Sequence, residues 1–169
     1  MKKLLLFLIT ITTFISCSSN ENEALRIEYT SSSEEAKALF KEFQTNWEQR
    51  NWNPDLQEAL MDSILKLDPN FYAAKLRNNF GTNSETRGYL LEAYNNRDKL
   101  SDIEKRLIES EYERRINGNR TKEDKIIDDL IVDYPDHYQL RIYSGGIKNA
   151  LQNIKGSQKR WEEALEINP

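Results

Sequence analysis

The 169 residues contain one cysteine, one histidine, four prolines and six glycines. A single cysteine excludes an internal disulfide framework and any zinc site built on several thiolates. A single histidine, His137, leaves no second imidazole for a metal pair, and no activated serine or cysteine stands near it in sequence to form a triad. Glycine and proline are scattered, so the chain is neither collagen-like nor linker-like. The spacings GxxxxGK[ST], GxGxxG and HExxH are absent, and with them the usual phosphate-cradling turns and zinc-protease helix. No apolar run reaches the roughly 20 residues of a spanning helix; the longest, LLLFLITITTFI at 4–15, has 12. An excess of basic charge is missing too: 24 Lys and Arg against 28 Asp and Glu give a net charge of -4, which disfavours nucleic acid as a partner. What remains is a body that is 31% charged and 38% hydrophobic, with 10% aromatic residues, a composition that folds and faces water.

The basic start Met1-Lys2-Lys3, the apolar run and the stop at Ser16-Cys17 form a signal peptide over residues 1–16. Phe14-Ile15-Ser16-Cys17 resembles the lipobox of bacterial lipoproteins, in which a small residue precedes the cysteine that becomes the acylated N-terminus. That resemblance implies lipidation at Cys17 and a place in the cell envelope as an outer-membrane lipoprotein, facing the periplasm or the surface. Polar residues follow, and 17–31 reads as the lipidated cysteine with a flexible tether.

From residue 32 the apolar spacing is helical. Ser32 with Glu35 reads as a capping box before Ala36, Leu39, Phe40, Phe43 and Trp47, which share one face of a helix running to about residue 50. Asn53-Pro54 opens a second helix that stops at Asp68-Pro69. A third carries Phe71, Ala74, Leu76 and Phe80 to Gly81, and a fourth starts at Asn83 or Ser84. Ser101 with Glu104 caps the fifth, which stops at Gly118, and Thr121 opens the sixth. Asp136 caps the seventh, and the eighth starts near Gly156-Ser157. No segment sustains a strand alternation, so the expected class is all-α, eight helices in short-turned pairs.

The stops at Pro69, Asp102, Pro135 and Pro169 recur at 33, 33 and 34 residues. With LKLDPN, LIVDYPD and ALEINP at unit ends, and Gly145, Ser157, Trp161, Ala164 and Pro169 at their places in the last unit, residues 32–169 resemble four tetratricopeptide repeats (TPR). Glu123 stands where that family has alanine. The resemblance implies a helical-hairpin solenoid whose concave side binds a protein or peptide, and counting along the last two units puts Tyr112, Arg115, Gln139, Ile142 and Asn149 near that groove. A glycan- or nutrient-binding accessory lipoprotein of an outer-membrane uptake system is the alternative. The array closes on Pro169 without a capping helix, so the last face is expected either to be continued by further units or to serve as a docking surface.

No catalytic, cofactor or metal-ligating set is expected. Carboxylates such as Glu109, Glu111, Asp124 and Asp128 lie among Lys and Arg and read as a solvated, ion-paired face. Arg114-Arg115 with Arg120 and Lys122 reads as a charged turn, and Trp47, Trp52 and Trp161 as packing residues.

Overall fold

The computed structural model describes residues 26–49 and 53–169. The expected signal peptide over residues 1–16, Cys17 and Trp52 lie outside the described residues. Among those described there is no strand, and the chain forms an all-α solenoid of four helix pairs: α1 (Glu34–Glu48) with α2 (Pro54–Leu67), α3 (Tyr72–Arg77) with α4 (Asn83–Asn96), α5 (Asp102–Arg115) with α6 (Arg120–Asp133), and α7 (Tyr138–Ala150) with α8 (Ile154–Ile167). Each helix packs on the next in sequence. No helix among the described residues is long and apolar enough to cross a membrane.

Side chains set most helix starts. The Asn53 side chain accepts from Leu56 N and Pro54 occupies the first turn, where its missing N–H has no cost. Reciprocal capping boxes join Thr82 to Glu85 and Ser101 to Glu104. Asn119 and Asn153 cap α6 and α8 by accepting from Lys122 N and Gly156 N, one and two or three residues before the expected openings. Gly118 supplies the left-handed residue, φ 64°, that ends the α5 hairpin.

Three further starts or stops differ from expectation. The N-cap of α1 is Ser33, accepting from Ala36 N at 3.1 Å, because the Ser32 N–H is engaged elsewhere by Asp68. His137, not Asp136, caps α7, and it does so without a side-chain bond. Helix α3 has only six residues: the chain leaves it at Asn78, whose side-chain oxygen accepts from Phe80 N at 3.1 Å and turns the backbone before Gly81.

The stripes meet in three clusters. Ala36, Phe40 and Phe43 of α1 pack on Leu60, Met61 and Ile64 of α2 and on Ala73 and Ala74 of α3. Tyr72, Ala93 and Ile108 join α3, α4 and α5. Ile103 and Leu107, Ile127 and Leu130, and Leu140 and Ile147 join α5, α6 and α7. Each fully buried side chain of this size stabilises by roughly 1.5–3 kcal/mol, so a hairpin that could not shield its own stripe is held by its neighbours. Gly145 lets α8 approach α7: a Cβ there would fall on the Trp161 indole.

The flexible tether expected over 17–31 does not extend through its last six residues. Residues 26–31 pack against the helices, with Ile27 only 4% exposed in the third of these clusters and Tyr29 bridging it to the first. The physical reason lies in their alternation. Ile27 and Tyr29 point inward while Glu28 and Thr30 are exposed, the period of two of an extended chain.

Candidate functional site

The segment 26–32 forms a strap across the inner face of the solenoid, held by side chains that reach its backbone. Ile27 N donates to Gln139 Oε1 at 2.9 Å, on α7. Thr30 N and its hydroxyl donate to the two Glu104 oxygens at 2.8 and 2.6 Å, on α5. Ser31 Oγ and Ser32 N donate to Asp68 Oδ2 at 2.6 and 2.8 Å, at the end of α2. These donors hold the Asp68 carboxyl below its usual range against the opposing effect of its own burial. The strap thus visits the fourth, third and first units in turn and runs opposite to their order.

Glu48, near the end of α1, clasps the strap and the far end of the array. It accepts from Arg26 Nη2 at 2.7 Å, Tyr138 OH at 3.0 Å and Gln139 Nε2 at 3.1 Å. Burial, then the Glu48 charge, push the Tyr138 phenol well above its ordinary pKa. The first helix therefore touches the seventh, and the inner face is partly enclosed.

Two cavities adjoin on the inner face, the first of them lined by Tyr29 of the strap. One, of about 280 Å³, is walled by Tyr29, Phe40, Leu76, Leu107 and Ile127, with Glu111, Arg114 and Glu123 at a charged side. Its neighbour, of about 320 Å³, adds Phe43, Gln44 and Phe80, and the two share Trp47, Arg77, Ile142 and Tyr143. A third, open cleft of about 830 Å³ lies between Trp47 and Glu48 of α1, Tyr138 and Ile142 of α7, and Trp161 and Leu165 of α8.

Glu123 is the most perturbed carboxyl of this region. It is 4% exposed; Arg114 Nε stands 3.2 Å from Oε1 and Arg120 Nη1 3.6 Å from Oε2, which has no hydrogen-bond donor. Desolvation raises its pKa from the usual 4.5 to about 7, and the two arginines offset only part of that.

Of the five residues expected at the groove, Gln139 and Ile142 come together on the inner face. Gln139 is buried and committed to the strap and to Glu48, whereas Ile142 lines all three cavities. Tyr112 stacks on Tyr94 with centroids 3.8 Å apart; it, Arg115 and the exposed Asn149 line none of these three cavities. The basic turn is ion-paired, Arg114 with Glu111 and Glu123, and Lys122 with Glu113. Trp47 and Trp161 are 52% and 41% exposed, so both present part of their rings to the open cleft as well as packing. Among the described residues no group of His, Cys, Asp and Glu is arranged to hold a metal.

Glu48, Arg77 and Glu104 were not legible as inner-face residues, since each sits in an ordinary polar helical context. The alternation of Ile27 and Tyr29 was the one sequence signal for the strap. No protein-family model, no curated protein and no solved structure matches the chain.

Proposed function

We propose that this protein is a TPR-like lipoprotein, anchored through Cys17 at the cell envelope, that holds an extended segment of a protein partner. One observation carries the reading: the inner face already seats an extended segment, residues 26–32, by capturing its backbone N–H groups with Gln139, Glu104 and Asp68. Capture through the backbone suits many sequences, while pockets for alternate side chains supply selectivity. The partner segment continues that mode in the open cleft, where Trp47, Trp161 and Leu165 are exposed beside the Glu48 clasp. Aromatic anchors beside a polar clasp are the composition of a binding centre.

A pull-down from detergent-solubilised envelope tests this, comparing the native chain with Leu165→Glu, a change at a side chain 62% exposed. The expected result is one protein captured by the native chain and lost with the variant, whose helical circular dichroism is unchanged. The second reading, a glycan-binding accessory of an uptake system, draws on the two half-exposed tryptophans. Reproducible glycan-array binding with no protein partner would establish it in place of the first. Cys17→Ala is expected to move the protein out of the membrane fraction; persistence there overturns the lipid anchor.

A further inference from the structure

We infer that the two adjoining cavities of the inner face form a site for a small amphipathic anion, a carboxylate carried on an aliphatic or aromatic body, with Arg77 receiving the charge. The cavities, about 280 and 320 Å³, meet at Trp47, Arg77, Ile142 and Tyr143. Each is close to the lower end of the range of roughly 300–1,000 Å³ usual for small-ligand sites, which are mostly apolar with a few convergent polar groups. Phe40, Leu76, Leu107 and Ile127 wall one and Phe43 and Phe80 the other.

The charge inventory identifies the head group. Arg114 is paired with Glu111 and Glu123, and Arg120 with Glu123. Glu104 is saturated by donors from Thr30 and Ser101. Arg77 makes no ion pair among the described residues. Its guanidinium lies 4.6 Å from the centroid of the Tyr143 ring, and the carboxylate whose field reaches it, Glu111, is already committed to Arg114.

A desolvated cation without a counter-charge is costly, and a guanidinium offers five donors in a fork that fits a carboxylate. An anion in the cavities would satisfy both conditions. A neutral head would leave the Arg77 charge uncompensated, and a cationic one would add to it. The small volume of each cavity favours a small molecule over a polypeptide. This site shares Trp47 and Ile142 with the open cleft, but Arg77 does not line that cleft, so a test that reads the Arg77 charge stands or falls independently of the protein partner.

Isothermal titration of the purified full chain carrying Cys17→Ala, with octanoate, 1-octanol and octylammonium, holds the tail constant and varies the head. Octanoate is expected to saturate one site, octanol to bind at least tenfold more weakly, and octylammonium not to bind. Arg77→Met should reduce octanoate to the octanol level, and Arg77→Lys should restore part of the difference. Gly146→Leu guards against a fold defect in the first variant: Gly146 is an exposed residue lining the first cavity and an added Cβ meets no atom within 4 Å, so the leucine is expected to narrow that cavity and weaken octanoate binding with helicity retained. Equal affinities for the three heads, no heat with octanoate, or unchanged octanoate affinity in Arg77→Met or Gly146→Leu would overturn the inference.

Discussion

Two adjacent glycines on α7 separate close packing from open space at the scale of one residue. Gly145 is buried with the Trp161 indole where its Cβ would go, whereas a Cβ at Gly146 meets nothing within 4 Å. Gly145→Ala should therefore destabilise by about 1–3 kcal/mol through overpacking, and Gly146→Ala should stabilise by about 0.5–1 kcal/mol by restricting the unfolded chain and favouring helix. Urea denaturation of the two variants should give midpoint shifts of opposite sign. Glu123 adds a pH dependence. Its pKa lies near 4.5 unfolded and about 7 folded, so folding takes up a proton. The associated stability is complete below pH 4.5, is lost between pH 4.5 and 7, and amounts to about 3 kcal/mol for a shift of this size. Glu123→Gln cannot ionise, and its urea midpoint should fall less between pH 5 and pH 8 than that of the native chain.

The strap shows at the element scale how local and global signals differ in reach. Caps, proline positions and apolar stripes specify the helices because a helix closes its hydrogen bonds within four residues. A strap has no bonds of its own. Its donors are met by Gln139, Glu104 and Asp68, which lie 112, 74 and 36 or 37 residues away. Composition alone made the segment a tether. The short α3 has a related cause, since one Asn78 side chain outcompetes the next helical turn that Leu76 and Phe80 appeared to continue. Ile27→Ala removes the strap's buried anchor and should cost about 2 kcal/mol. Trypsin should then cleave after Arg26, now held to Glu48 at 2.7 Å, at least tenfold faster, while the helical signal is unchanged.

A stack of hairpins gains stability from nearest neighbours and can fray from either end. At the scale of the whole molecule this solenoid departs from that scheme, because Glu48 of α1 bonds Tyr138 and Gln139 of α7 as well as Arg26 of the strap. The clasp couples the first unit to the fourth. Glu48→Ala leaves buried donors without their acceptor and should cost about 2–4 kcal/mol. Hydrogen exchange should then show α1 and α2 opening ahead of α5 to α8, rather than all units exchanging in one cooperative step.

The sequence by itself determined eight helices in four pairs, most of their boundaries and the residues that face the core, because caps and periodicity are local. Only the tertiary structure decided that residues 26–32 line the inner face, that the first and last units are clasped, and that Arg77, partly buried, lines two cavities with no ion pair among the described residues. Those are contacts between residues far apart in the chain. They depend on how much the array curves, and curvature is the sum of small rotations between units that no single stretch of sequence displays.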